Sequence, residues 1–263
     1  MTGSSKNYPD NAPMVLSPPP DLLTIPDAAL FLDFDGTLVD IASRPDKIRL
    51  PVHLPALLAR LAQRLDGRIA LVSGRALADI DQHLGHIGIT VAGSHGGEWR
   101  RAGSTQTRIM PGTHYAPESI TAALQTVNDF FRASHGVMVE SKPMGFAVHY
   151  RNQPEAAAAA DDLVAALARS MGMQVKQGNM VVELLPAGTG KGHAVRECMK
   201  MPEFQGGRPV FLGDDITDED AFSAVREYPD GGGVLVGNMR PTAAIWQLPG
   251  VSDVHAWLER ALA

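Results

Sequence analysis

Short, unbroken apolar runs that stop abruptly at polar residues constrain this chain more than any other feature. "ALFLDFDGT", "GRIALVSGR" and "RPVFLGDD" all have this form, and amphipathic segments such as "LPALLARLAQRL" and "ALADIDQHLG" fall between them. A strand that lacks polar alternation must be covered on both sides, so the pattern predicts an α/β fold with a parallel sheet and helices on both faces. "IGITVAGSHG" and "GGVLVGN" add further strands, and "SDVHAWLERALA" closes the chain as a helix. In open sheets of this type ligands bind beyond the carboxyl ends of the strands. The residues at which the runs break off therefore converge on one rim: Asp33 and Asp35, Ser73, His95, and Asp214 with Asp215.

The texture changes between the two blocks. "ESITAALQTVNDFFRAS" has helical spacing, and "HGVMVESKPMGFAVHYR" alternates like a hairpin. A helix opened by Pro154 and closed by Gly172 follows, and "MQVKQGNMVVELLP" reads as a second hairpin around Gly178 and Asn179. A stretch this structured is not a loop. The chain therefore divides into a Pro-rich, extended tail (1–27), a first core segment (28–108), an inserted α+β domain (109–185) and a second core segment (186–263).

Asp33 and Asp35 stand two apart, so in extended chain their carboxylates point the same way. Like charges that close raise each other's pKa unless a cation lies between them. With Asp214 they offer hard oxygen donors and no soft ones, which suits Mg²⁺. Lys191 opens a helix, where a positive charge is mildly unfavourable unless an anion is near. Its run "GTGKGHAV" is not a P-loop, because the first required glycine falls on Leu185 and the Ser/Thr position on Gly192. Thr217 reads as a helix N-cap, with Glu219 and Asp220 as ordinary acids of the first turn. Together these parts describe phosphoryl transfer. An aspartate attacks phosphorus, a metal and a lysine neutralise charge, and a second acid serves the leaving alcohol and then water.

"DFDGTLVD", "LVSGR", "KG" and "GDDITDED", in this order, resemble the four motifs of haloacid-dehalogenase-like (HAD) phosphatases. That resemblance implies a Rossmann-like core, with Asp33 as nucleophile and Asp35 as general acid/base that also offers its backbone carbonyl to Mg²⁺. It further implies that Ser73 and Lys191 hold phosphoryl oxygens, that Asp214 completes the metal site, and that Asp215 and Asp218 orient metal waters or Lys191. The insert resembles the large α+β cap class. Within it, "SHGGEWR", "ESKPMGFAVHYR" and "VVELLPAGTGKG" are similar to the signature of trehalose-6-phosphate phosphatases. This implies sugar contacts by His95, Gly96, Glu140, Lys142 and Glu183. Arg151 could do the same or stabilise the hairpin, and Arg75 could serve the phosphate or the cap interface. Leu185 departs from the pattern, since relatives often carry a basic residue there. The cap is expected to close on hinges near 109–112 and 185–188, and functional coupling to a trehalose-6-phosphate synthase is a further expectation.

Other functions fit less well. A phosphatase for another sugar phosphate, of sucrose or mannosyl type, shares the chemistry and differs only in the cap contacts. A signalling receiver needs neither Asp35 nor an insert, and a silent binding subunit would have lost part of the acid and lysine set. A net charge of −6 argues against a nucleic-acid partner. No apolar run reaches the ~18 residues of a membrane span, and no signal-peptide pattern opens the chain. With a single cysteine, Cys198, the chain reads as a cytoplasmic protein.

Overall fold

The computed structural model describes residues 16–42, 48–178 and 180–263. The core begins with β1 (Ala28–Leu32), α1 (Leu54–Arg64), β2 (Ile69–Val72), α2 (Leu77–Leu84), β3 (Thr90–Gly93), β4 (Glu98–Arg100) and β5 (Arg108–Ile109). The insert holds α3 (Pro117–Phe130), β6 (Met138–Lys142), β7 (Gly145–His149), α4 (Ala157–Met171), β8 (Met173–Gly178) and β9 (Val181–Pro186). The core resumes with α5 (Lys191–Met199), β10 (Arg208–Gly213), α6 (Glu219–Val225), β11 (Gly232–Val236), β12 (Trp246–Leu248) and α7 (Val251–Arg260).

The core sheet runs β12-β11-β10-β1-β2-β3-β4-β5. Its first six strands in that order are parallel, and the last two pair antiparallel. Successive β1 residues feed opposite layers, as strand geometry requires. Leu30 and Leu32 join α1, α2 and α7 on one face, while Ala29 and Phe31 join α5 and α6 on the other. Both layers are fully buried, which is why β1 carries no polar residue until its carboxyl end. Cys198 lies in the second layer, where burial pushes its thiol up to about 12, so it acts as a small hydrophobe.

The cap sheet runs β6-β7-β9-β8 with every pair antiparallel. Phe146, Val148, Val182 and Leu184 face α3 and α4. By the period of two, the neighbouring residues Glu140, Lys142, His149 and Glu183 face the core sheet across a cleft. The two connections between the domains run side by side, with the His114 amide donating to Ala187 O (3.0 Å) and a His193 ring nitrogen on Pro111 O (2.8 Å).

Three expectations need correction. The sequence predicts an extended tail over 1–27, whereas the chain packs from residue 16 onward. Ser17 bridges to Trp246, Leu22 is buried, and Trp257 donates its indole N–H to Pro20 O; residues 1–15 lie outside the described residues. Ile109 belongs to the core sheet through β4 rather than to the insert. The turn before α6 is capped by Asp215, not Thr217. Its carboxylate accepts from Ile216 N, while Asp218 reaches back to the Asp215 amide. The second hairpin forms as expected, although Asn179 at its turn is outside the described residues. Among the described residues no helix is long and apolar enough to cross a membrane.

Candidate active site

Four adjacent parallel strands end on site residues. Asp214 follows β10, Asp33 follows β1, Ser73 follows β2, and Ser94 and His95 follow β3. They meet the cap in a cleft of about 730 Å³, lined among others by Asp33, Asp35, Ser73, Arg75, His95, Glu140, Lys142, Lys176, Glu183, Lys191, Asp214 and Asp215.

Lys191 occupies the first turn of α5, buried, with its ammonium 2.7 Å from Asp33 Oδ1 and 2.6 Å from Asp218 Oδ1. The anions that compensate a cation at a helix N-terminus are therefore Asp33 and Asp218. Burial alone would pull Lys191 down, but the two carboxylates outweigh it and raise it above its ordinary value. Carboxylate oxygens of Asp33, Asp214 and Asp218 lie within 4.8 Å of one another. Burial first, and then repulsion from Asp218, push Asp33 well above the usual carboxylate range and Asp214 up to about 7. One ammonium does not balance three acids. An all-oxygen, negatively charged donor set is what a hard divalent cation binds. Both Asp218 oxygens are already engaged, by Lys191 and by the Asp215 amide. Asp33 and Asp214 are left as the side chains with oxygens to offer. Gly36 keeps this corner open, because a Cβ on it would lie 2.1 Å from Asp214 Oδ2, and its φ is +73°.

The Asp35 carboxylate does not share the Lys191 ammonium that Asp33 meets, contrary to the reading of an i, i+2 pair around one cation. β1 ends at Leu32, and the chain turns so that Phe34 O accepts the amides of Thr37, Leu38 and Val39. This directs Asp35 to a two-pronged contact with Arg75 (2.6 and 2.7 Å), whose guanidinium lies 5.8 Å from the Phe34 ring centroid. The Ser73 hydroxyl accepts from the Arg75 amide and opens into the cleft.

The cap presents a charged roof. Lys142 bonds Glu183 Oε1 at 2.5 Å, and a His149 hydrogen bond holds Glu140 below its ordinary pKa. His95 and Glu183 approach across the cleft at 3.6 Å. Two expected sugar contacts fall elsewhere. Gly96 packs behind the cleft, where a Cβ would come within 2.7 Å of Gly190 O. Arg151 has the right parity, but β7 has already ended at His149, and it lies exposed outside the cleft lining. Lys176 was missed. Its cross-strand partner is Glu183, a pairing that only the register of the second hairpin fixes.

Comparison with known proteins places this arrangement. The family model described as Trehalose-phosphatase matches residues 31–250. The trehalose-6-phosphate phosphatase of Escherichia coli (strain K12) is 38% identical over 236 residues, covering 88% of this chain and 85% of that protein. A probable trehalose-phosphate phosphatase of Sinorhizobium fredii is 36% identical, covering 87% and 84%. Among solved structures, the C-terminal domain of Candida albicans trehalose-6-phosphate phosphatase shares the fold at a TM-score of 0.74 and 21% identity, covering 95% of this chain and 99% of that one. The match spans both core segments and the cap between them, so the strand-end acids and the charged roof fall inside it. The chain belongs to the trehalose-phosphatase family of HAD phosphatases.

Proposed function

We propose that this chain is a Mg²⁺-dependent phosphomonoesterase that hydrolyses trehalose 6-phosphate to trehalose and phosphate. The observation that carries it is the buried Asp33–Lys191–Asp218 group beside Asp214, opening into a cleft roofed by charged cap residues. Asp33 attacks phosphorus as the bond to the sugar oxygen breaks, giving an aspartyl-phosphate. Asp35 protonates the leaving oxygen, then takes a proton from water as that water displaces phosphate from Asp33. Lys191 and Ser73 hold phosphoryl oxygens, and Arg75 exchanges part of its Asp35 contact for the substrate phosphate. Asp33, Asp214 and the Asp35 carbonyl would hold Mg²⁺, which would supply electrophilic stabilisation of the phosphoryl charge. Glu140, Lys142 and Glu183 meet the sugar hydroxyls with charge-assisted hydrogen bonds. The cap closes over the core to exclude bulk water, hinging on the adjacent connections.

Phosphate release from a panel of sugar phosphates, with Mg²⁺ or chelator, tests the reading. Chelator-sensitive release from trehalose 6-phosphate is expected. Preference for a different sugar phosphate would keep the mechanism and discard the substrate, and silence on the whole panel would discard both.

The electrostatics give a second expectation. Asp214 is raised, so its ionisation opposes folding of the metal-free protein. The penalty is absent below the unfolded carboxylate pKa and grows as pH rises to about 7. A bound divalent cation removes it. Saturating Mg²⁺ at about a hundred times its Kd stabilises by about 2.7 kcal/mol. For a chain of this length that raises Tm by roughly 5–10 °C. The increment is expected near pH 8 and to shrink near pH 5.5, where protons compete for the acids. Differential scanning fluorimetry at both pH values checks this, and an increment independent of pH would contradict it.

A further inference from the structure

Lys176 has no part in the scheme above, yet it reaches from the cap to the core. It lies on β8, half-buried, and its ammonium sits 2.9 Å from Nδ1 of His95. It lines both the main cleft and an adjoining cavity of about 270 Å³. Leu185 borders the same two spaces and contributes only hydrocarbon. Burial and Lys191 pull Lys176 down, while Asp220, Glu183 and Asp218 sustain its charge.

His95 is held on several sides. Its backbone is left-handed (φ 54°, ψ 36°), its amide donates to Ser73 O, and its carbonyl accepts from Gly190 N. Its ring packs on Gly74, where a Cβ would come within 2.6 Å of Cε1. A non-glycine residue in that region is strained and persists where its surroundings fix it. Burial, then Lys176, Lys191 and Lys142, keep the imidazole well below its ordinary pKa and so neutral. An ammonium only donates, so Nδ1 carries the lone pair and Nε2 the proton. Nε2 faces Glu183 Oε2 at 3.6 Å, too far for a hydrogen bond, and that oxygen is buried without a partner. A donor and an acceptor thus stand side by side, unmet, at the junction of cap and core.

We infer that Lys176 is a positioning residue for the sugar: by donating to Nδ1 it fixes His95 as the Nε2–H tautomer, so that His95 and Glu183 Oε2 offer one substrate hydroxyl a donor and an acceptor together. The inference rests on the phosphosugar reading above. The pair is complete only with the cap seated, since Lys176 and Glu183 belong to the cap and His95 to the core.

The test compares wild type, Lys176→Met and Lys176→Arg on trehalose 6-phosphate and on p-nitrophenyl phosphate, which has no sugar. In Lys176→Met the ratio of kcat/KM for the sugar phosphate to that for the aryl phosphate is expected to fall roughly tenfold or more, mainly through KM. Lys176→Arg, which keeps a donor, is expected to recover much of it. Long-range ¹⁵N–¹H NMR of labelled histidine is expected to show His95 as the Nε2–H tautomer in wild type and as a mixture in Lys176→Met. An unchanged ratio, or an unchanged tautomer, in Lys176→Met overturns this inference alone. A wild type inactive on trehalose 6-phosphate overturns the phosphosugar reading and this inference with it.

Discussion

Asp33→Asn is expected to abolish phosphate release, by ~10⁴-fold or more, because a neutral amide cannot replace the attacking carboxylate. The expected loss is in turnover and not in folding. Asp33 is buried against Lys191 and repelled by Asp218 and Asp214, and burial and repulsion together push its pKa well up. Replacing it with an isosteric amide removes one of three crowded acids and leaves Lys191 its 2.6 Å contact with Asp218. The metal-free variant should therefore melt no lower than wild type. Its Mg²⁺-induced rise in Tm should shrink, since one of the oxygen donors loses its charge. Rapid quenching with radiolabelled sugar phosphate separates the roles. Label should appear transiently on wild-type protein and never on the variant. Activity above about 1% of wild type would remove Asp33 as nucleophile, since nucleophile loss is far more severe than that.

The same residue shows how much of the site is legible in the sequence. Asp33, Ser73, His95 and Asp214 stand where buried strands meet polar chain, and strand ends in a parallel sheet share one rim. Their convergence follows from local pattern and one topological rule. Lys191 was legible as an electrostatic misfit at a helix start, and Asp218 explains it. What escaped depends on where strands stop and how hairpins register. The alternation rule places Asp35 beside Asp33, but β1 ends at Leu32, and the turn hands Asp35 to Arg75. Arg151 fails in the same way, one turn beyond β7. Lys176 faces Glu183 only if the second hairpin pairs Gly178 with Val181, a register that periodicity alone leaves open. Gly96 looks like a ligand contact in the motif, yet its lack of a side chain serves close packing on Gly190. The tail escaped for a non-local reason, because Leu22 and Pro20 are tied down by α7 from the far end of the chain.

Lys191→Met carries the second large effect, on stability and activity at once. The ammonium is the only cation bonded to Asp218, whose side chain is fully buried, among the contacts of the described residues. Removing it strands two buried carboxylates. Breaking a buried ion pair from one side typically costs about 3–5 kcal/mol, which for a chain of this length lowers Tm by roughly 6–20 °C. The deficit has a defined pH course. In the variant, Asp33 loses the charge that favoured its ionised form, so its folded pKa rises further above the unfolded one. The destabilisation is then present at neutral pH and fades as pH falls toward the unfolded carboxylate pKa of about 4. Turnover is expected to fall by ~10²–10³-fold or more, as for loss of a donor aimed at transition-state charge. The double variant Lys191→Met/Asp218→Asn separates the two effects. Removing one of the two stranded charges should return part of the lost Tm and none of the lost turnover. Thermal melts of both variants between about pH 4.5 and 8, run beside phosphate release, make the comparison. A single variant that melts like wild type at neutral pH would show that Lys191 does not hold these acids together.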